Sequence, residues 1–176
     1  MPRLSLSALL AALPGLAAAQ DFAPRWEVLG TFEATVEGTD HTLYALADNE
    51  GGSDFVGVTE AGGFTVITVT AAAPGAGGQP APPYLSATIG PFRDAPGDGA
   101  GIEWREGETA WFATSDSGTR ADMSDVDYDG ERLSFTFDAP ELVALETDED
   151  WNFIPVEGVA PVSASGTFEG RVPASD

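Results

Sequence analysis

The sequence predicts an all-β fold: a single antiparallel β-sandwich, or partly closed barrel, of about eight to ten short strands with long Gly/Pro loops. Three observations carry this. Apolar residues recur with period two and not with the three-and-four spacing of an amphipathic helix. The strand-like segments are separated by turn-forming stretches, drawn from 21 Gly and 13 Pro. Helical patterning is nearly absent.

Residues 1–19 read as a signal peptide. Arg3 is the basic residue of its leading end, Leu4 to Ala19 form its apolar stretch, and Ala17, Ala18 and Ala19 make a small-residue exit before Gln20. Pro14 and Gly15 interrupt the stretch, which falls short of the ~20 residues of a membrane-spanning helix. Residues 20–176 are then expected to be one β-sandwich domain in the periplasm or outside the cell, without membrane insertion. The chain has no cysteine. Disulfides, thiolate metal sites and a lipid-attachment cysteine are therefore excluded, and the core alone must hold the fold.

In "WEVLGTFEATVE", Val28, Gly30, Phe32, Ala34 and Val36 share one face and Thr31, Glu33, Thr35 and Glu37 the other, the pattern of a half-buried strand. "HTLYALA" and "FVGV" follow as strands, and "TVITVT", β-branched throughout, suits a central one. "YLSATI", "GIEWR", "TAWFAT" and "SDVDYD" continue the series. "ERLSFTFD" sets Leu133, Phe135 and Phe137 inward. "APELVAL" is predicted as a short helix with Pro140 in its first turn. "APGAGGQPAPP" (73–83) and "RDAPGDGAG" (93–101) are expected to be long, extended surface loops.

GTFE occurs twice, at 30–33 and 166–169. Aligned by phase, the inward positions of the two copies correspond better than the outward ones, since Thr35 meets Arg171. A repeat that keeps its buried face is structural. The first and last strands are thus expected to face the core and lie near each other, with glycines making room for Phe32 and Phe168.

Acidic residues number 29 against seven basic ones, all arginine, for a net charge of −22. Such a field disfavours nucleic acid and anionic membrane surfaces and favours cations and basic partners. Nucleophilic catalysis is poorly supplied: no serine sits in a G-x-S-x-G turn, and His41 is the one histidine. His41 is expected to be a surface or strand-end residue, and no catalytic residue is assigned. Of Trp26, Trp104, Trp111 and Trp151, at least Trp104 and Trp111 are expected in the core.

The sharpest local feature is "SDVDYDGERL". Asp125, Asp127 and Asp129, followed by Gly130, match the opening of a helix-loop-helix calcium loop, although Thr136 stands where the bidentate Glu belongs. These three aspartates are the candidate Ca2+ ligands. The competing reading is a tight Asp129-Gly130 hairpin turn between two alternating strands. "ETDEDW" (146–151) is a second acidic cluster, expected to be a solvated loop.

The leader, "GTFEATVEG", "DYDGERLSFTF" and the closing "SGTFEG" together resemble small secreted bacterial β-sandwich proteins of uncharacterised function. That resemblance implies an all-β domain and carries over no catalytic residue. The expected function is a non-enzymatic binding or accessory module whose partner is an extracytoplasmic protein, glycan or cation. The alternatives are a carbohydrate-active enzyme with paired carboxylates and a tryptophan platform, and an assembly subunit that pairs through strand edges.

Overall fold

Alternating patterns become strands almost everywhere in the computed structural model, which describes residues 22–51, 54–92, 100–115, 117–148 and 152–173. Residues 1–19, expected to be a signal peptide, most of the 93–101 stretch and Trp151 lie outside these residues. Eleven strands are described: β1 Trp26–Val36, β2 Thr39–Asp48, β3 Val56–Ala61, β4 Phe64–Pro74, β5 Pro80–Phe92, β6 Ala100–Glu106, β7 Thr109–Ala113, β8 Asp122–Tyr128, β9 Arg132–Thr147, β10 Phe153–Pro155 and β11 Val162–Arg171. All pairings among them are antiparallel.

The sheet runs β10-β9-β11-β1-β2-β4-β5-β6-β7, and β7 also pairs with β9, so the strands curl into a ring. The expected class therefore stands, with eleven strands in place of eight to ten. The extra members are side strands: β3 lies on the edge of β4 and β8 on the edge of β9. These long strands exchange one neighbour for another along their length. Consequently the ring closes through a single pair between β2 and β4, Tyr44↔Ala72, and through Trp111↔Ala144 and Phe112↔Val143 between β7 and β9.

The opposite side is tightly sewn. β1 and β11 pair from Gly30↔Gly170 through Phe32↔Phe168 to Val36↔Ala164, and β11 continues onto β9 with Phe168↔Phe135. Phe32, Phe135, Phe137 and Phe168 all point into the core. Phe32 meets the other three rings at centroid distances of 4.8 to 6.0 Å. Glycine is required here: a Cβ on Gly30 would lie 2.6 Å from Phe168 Cζ and 2.7 Å from Gly170 Cα. At Gly166 it would strike the Glu33 carbonyl oxygen. The repeated GTFE thus marks two adjacent strands whose missing side chains make space for two phenyl rings.

Two expectations need correction. The 73–83 stretch is a hairpin and not a long loop, for Ala73↔Ala81 and Pro74↔Pro80 are paired across it. Its tip is a 3-10 turn at Ala76–Gly78, and Gly75 N–H donates to the Gln79 carbonyl at 2.7 Å. Low complexity misled because proline and glycine also suit a tight strand reversal. The segment also receives the residues around the start of β1: Ala23 N–H donates to the Gly78 carbonyl at 2.9 Å, and Trp26 Nε1 donates to Gln79 Oε1 at 3.2 Å.

"APELVAL" is strand and not helix, forming the second half of β9, with Leu142 and Ala144 buried and Val143 and Leu145 half-buried. Pro140 sits where the β9–β11 register shifts, between the Ala139↔Ala164 and Leu142↔Val162 pairs. A residue without an N–H is accommodated at such an irregularity. Four apolar residues in a row hid the period of two.

Candidate functional site

The acidic hairpin forms as β8, a turn and β9. Asp129 holds the turn: its Oδ1 accepts from the backbone N–H groups of Glu131 at 2.9 Å and Arg132 at 2.8 Å. Those bonds stabilise the carboxylate and lower its pKa from the ordinary value of 3.8. Asp125 has φ of +52° and lies in the register break between Ser124 and Asp127, so the regular alternation of the three aspartates is interrupted by a bulge. Among the described residues no three His, Asp or Glu side chains form a group that could hold a metal ion. In the second acidic cluster, Glu146 and Thr147 belong to β9. Asp148 accepts from the backbone and side-chain nitrogens of Asn152 at 2.8 to 3.3 Å.

His41 is a strand-end residue near the start of β2, as one of its two expected placements had it, and is half-buried. It packs its ring 5.0 Å from that of Trp104, which is itself 2% exposed. The sequence signal missed this because β2 and β6 are separated by two strands of the ring. Trp104 is in the core as expected, and Trp111, half-buried, packs against that core with Nε1 donating to the Ala160 carbonyl at 3.1 Å. Trp26 packs against Phe55, at a ring distance of 6.0 Å.

A concavity lies elsewhere, over the outer face of β5, β6 and β7, with β8, on the edge of β9, along its other side. A groove of about 960 Å3 runs there, bounded by Ser86, Thr88, Glu103, Phe112, Met123 and Phe153 among others. A smaller depression of about 360 Å3 adjoins it, sharing Ser86 and Glu103 and adding Thr70, Tyr84 and Arg105. Strand register explains the alignment. Thr70↔Ser86, Ser86↔Glu103, Glu103↔Phe112 and Phe112↔Val143 form one continuous cross-strand row. Each is the outward partner of a buried neighbour such as Leu85, Ile102 or Ala113.

Within the row, the Thr70 and Ser86 hydroxyls are 3.0 Å apart, and Arg105 Nη2 donates to Glu103 Oε1 at 2.5 Å. At the other end Phe112 and Phe153 have ring centroids 6.2 Å apart. Phe153 is 53% exposed and its neighbour Ile154 38%, two of the three large apolar side chains that face water among the described residues. Arg120 and Asp122 stand on the β8 side of the groove, both exposed. A site of this size and mixed lining suits a small molecule or a short polymer segment.

No described groove gathers two tryptophans with facing carboxylates. The β8 edge is not a flat pairing template either. It carries the bulge at Asp125 and the exposed Asp122, Asp125 and Asp127, devices that block strand addition. A scan against protein-family models, a search of curated proteins and a search of solved structures each find no match to this chain.

Proposed function

We propose that the protein is a non-enzymatic binding module, exported to the periplasm or beyond, whose ligand lies in the groove across β5, β6 and β7. The observation that carries this is the groove of about 960 Å3 with hydroxyl, ion-pair and aromatic side chains aligned along one cross-strand row. The non-enzymatic reading is supported by the placement of His41 against Trp104, away from the groove residues. It is supported further by the engagement of Glu103 with Arg105. Export is supported by the leader pattern and the cysteine-free, acidic composition.

The test is a thermal-shift screen of the domain against glycans, peptides and calcium, with each hit mapped by NMR. Hits are expected to raise the melting temperature and to perturb amides of Ser86, Thr88, Glu103 and Phe112. Turnover of any bound ligand would overturn the non-enzymatic reading, and ligands that map only to other faces would overturn the site.

A further inference from the structure

We infer that the groove recognises an uncharged oligosaccharide, an assignment that rests on the binding-module reading and narrows its ligand. Charge favours such a ligand. The chain carries 29 acidic and seven basic residues, yet among the described residues the charged side chains lining the groove and its adjoining depression are two acids, Glu103 and Asp122, and two arginines, Arg105 and Arg120. The net negative charge of the chain repels anions and attracts cations. Here it is locally cancelled, which removes the attraction a cationic peptide would need and leaves a surface matched to a neutral ligand.

So does the chemistry of the lining. Sugars present hydroxyls at their edges and apolar C–H faces above and below. The groove and its depression offer both complements: Tyr84, in the depression, and Phe112 supply rings, Ser86 and Glu103 stand in the same row as Phe112, and Thr88 flanks that row on the side away from Tyr84. Hydroxyls both donate and accept, while a carboxylate beside a guanidinium offers acceptor and donor together. Among the described residues, no hydrogen bond or ion pair occupies the side chains of Thr88, Arg120 or Asp122, so these groups are available to a ligand.

Shape agrees. Gly101 faces the groove between two threonines, where a Cβ would lie 3.2 Å from Thr114 Cγ2 and 3.9 Å from Thr88 Cβ. The glycine thus keeps the floor low between its neighbours. From Thr70 to Phe112 the row crosses four strands, a span of roughly 14 Å at sheet spacing, the reach of a short oligosaccharide. An acyl chain fits worse, because its apolar end would rest on Phe153, which is half in water.

The experiment titrates the domain with cellohexaose, chitohexaose and maltohexaose by calorimetry and NMR, with hexa-arginine and polygalacturonate as charged comparators. At least one neutral hexasaccharide should perturb Ser86, Thr88 and Phe112, with an affinity that barely changes between roughly 0.05 and 0.5 M salt. Phe112→Ala should weaken it about tenfold through the lost ring face, and Glu103→Gln should weaken it with the melting temperature preserved. Charged comparators that bind the groove while neutral sugars do not would overturn the ligand class and leave the binding-module reading standing. Silence of all three neutral series, or sugar binding on another face, overturns the assignment.

Discussion

The two sides of the ring are built to opposite specifications. Along β1, β11 and β9 the register is long, phenyl rings fill the inner face and glycines allow the backbones to close on them. Between β2 and β4 and between β7 and β9 the ring is held by one and two residue pairs, and β3 and β8 branch away. The difference teaches where each task resides. On the sewn side the inner face is filled with buried rings, and neither groove described above is lined by a residue of β1 or β11. The branched side exposes an outer face that bends into a groove, because β8 leaves β7 to follow the first half of β9.

Substitutions can break this contrast, beginning with the largest effect. Phe32→Ala removes a fully buried ring from the centre of the aromatic cluster and is expected to cost about 3–5 kcal/mol in denaturant unfolding. Gly30→Ala comes next. Its Cβ has no room beside Phe168 and Gly170, and the forced separation should cost about 1–3 kcal/mol by the same measurement. On the branched side, Phe112→Ala should cost about 1 kcal/mol, since the ring is half-exposed. If it destabilised the domain as much as Phe32→Ala, the groove would be core and the contrast would fail.

Smaller effects sharpen the same comparison through pH. Glu37, in the β1–β2 turn, accepts from Ser163 N–H at 2.5 Å and Ser163 Oγ at 2.9 Å, tying that turn to β11. These bonds lower its pKa from the ordinary 4.5. A depressed folded-state value means that the contribution to stability is fully present above the unfolded value and is lost as pH falls through the folded one. The melting-temperature difference between the wild type and Glu37→Gln should therefore be present at neutral pH and shrink below pH 4.5. Asp129→Asn should behave alike, since its carboxylate is lowered by the turn amides. A difference that persisted in acid would show that neither carboxylate acts through its charge. Arg120→Ala, on the groove rim, should change stability by less than about 0.5 kcal/mol.

Most of the sewn side was legible in the sequence. Phe32, Leu133, Phe135, Phe137 and Phe168 alternate with polar residues, so period alone sets them inward, and the glycines beside the GTFE phenylalanines announce a close approach. The branched side was less legible. Pro140 and a run of apolar residues concealed the second half of β9, and the prolines of 80–83 resembled a linker. Groove residues such as Ser86, Glu103 and Phe112 carry no local signal, because they come together only through the pairing of strands distant in sequence. His41 and Trp104 meet for the same kind of reason. The acidic hairpin, the loudest motif, is built as a turn whose Asp129 serves the backbone.

Adjacency of the first and last strands has a topological corollary. Because β1 and β11 run antiparallel, the start of one lies beside the end of the other, and Arg171 reaches Glu27 at 2.5 Å across that junction. The first and last described strands therefore begin and end at one junction. A short linker from the end of β11 to the start of β1, with new termini opened at the exposed Gly62-Gly63 turn between β3 and β4, would give a circular permutant of the described strands that keeps every ring pairing and leaves the groove untouched.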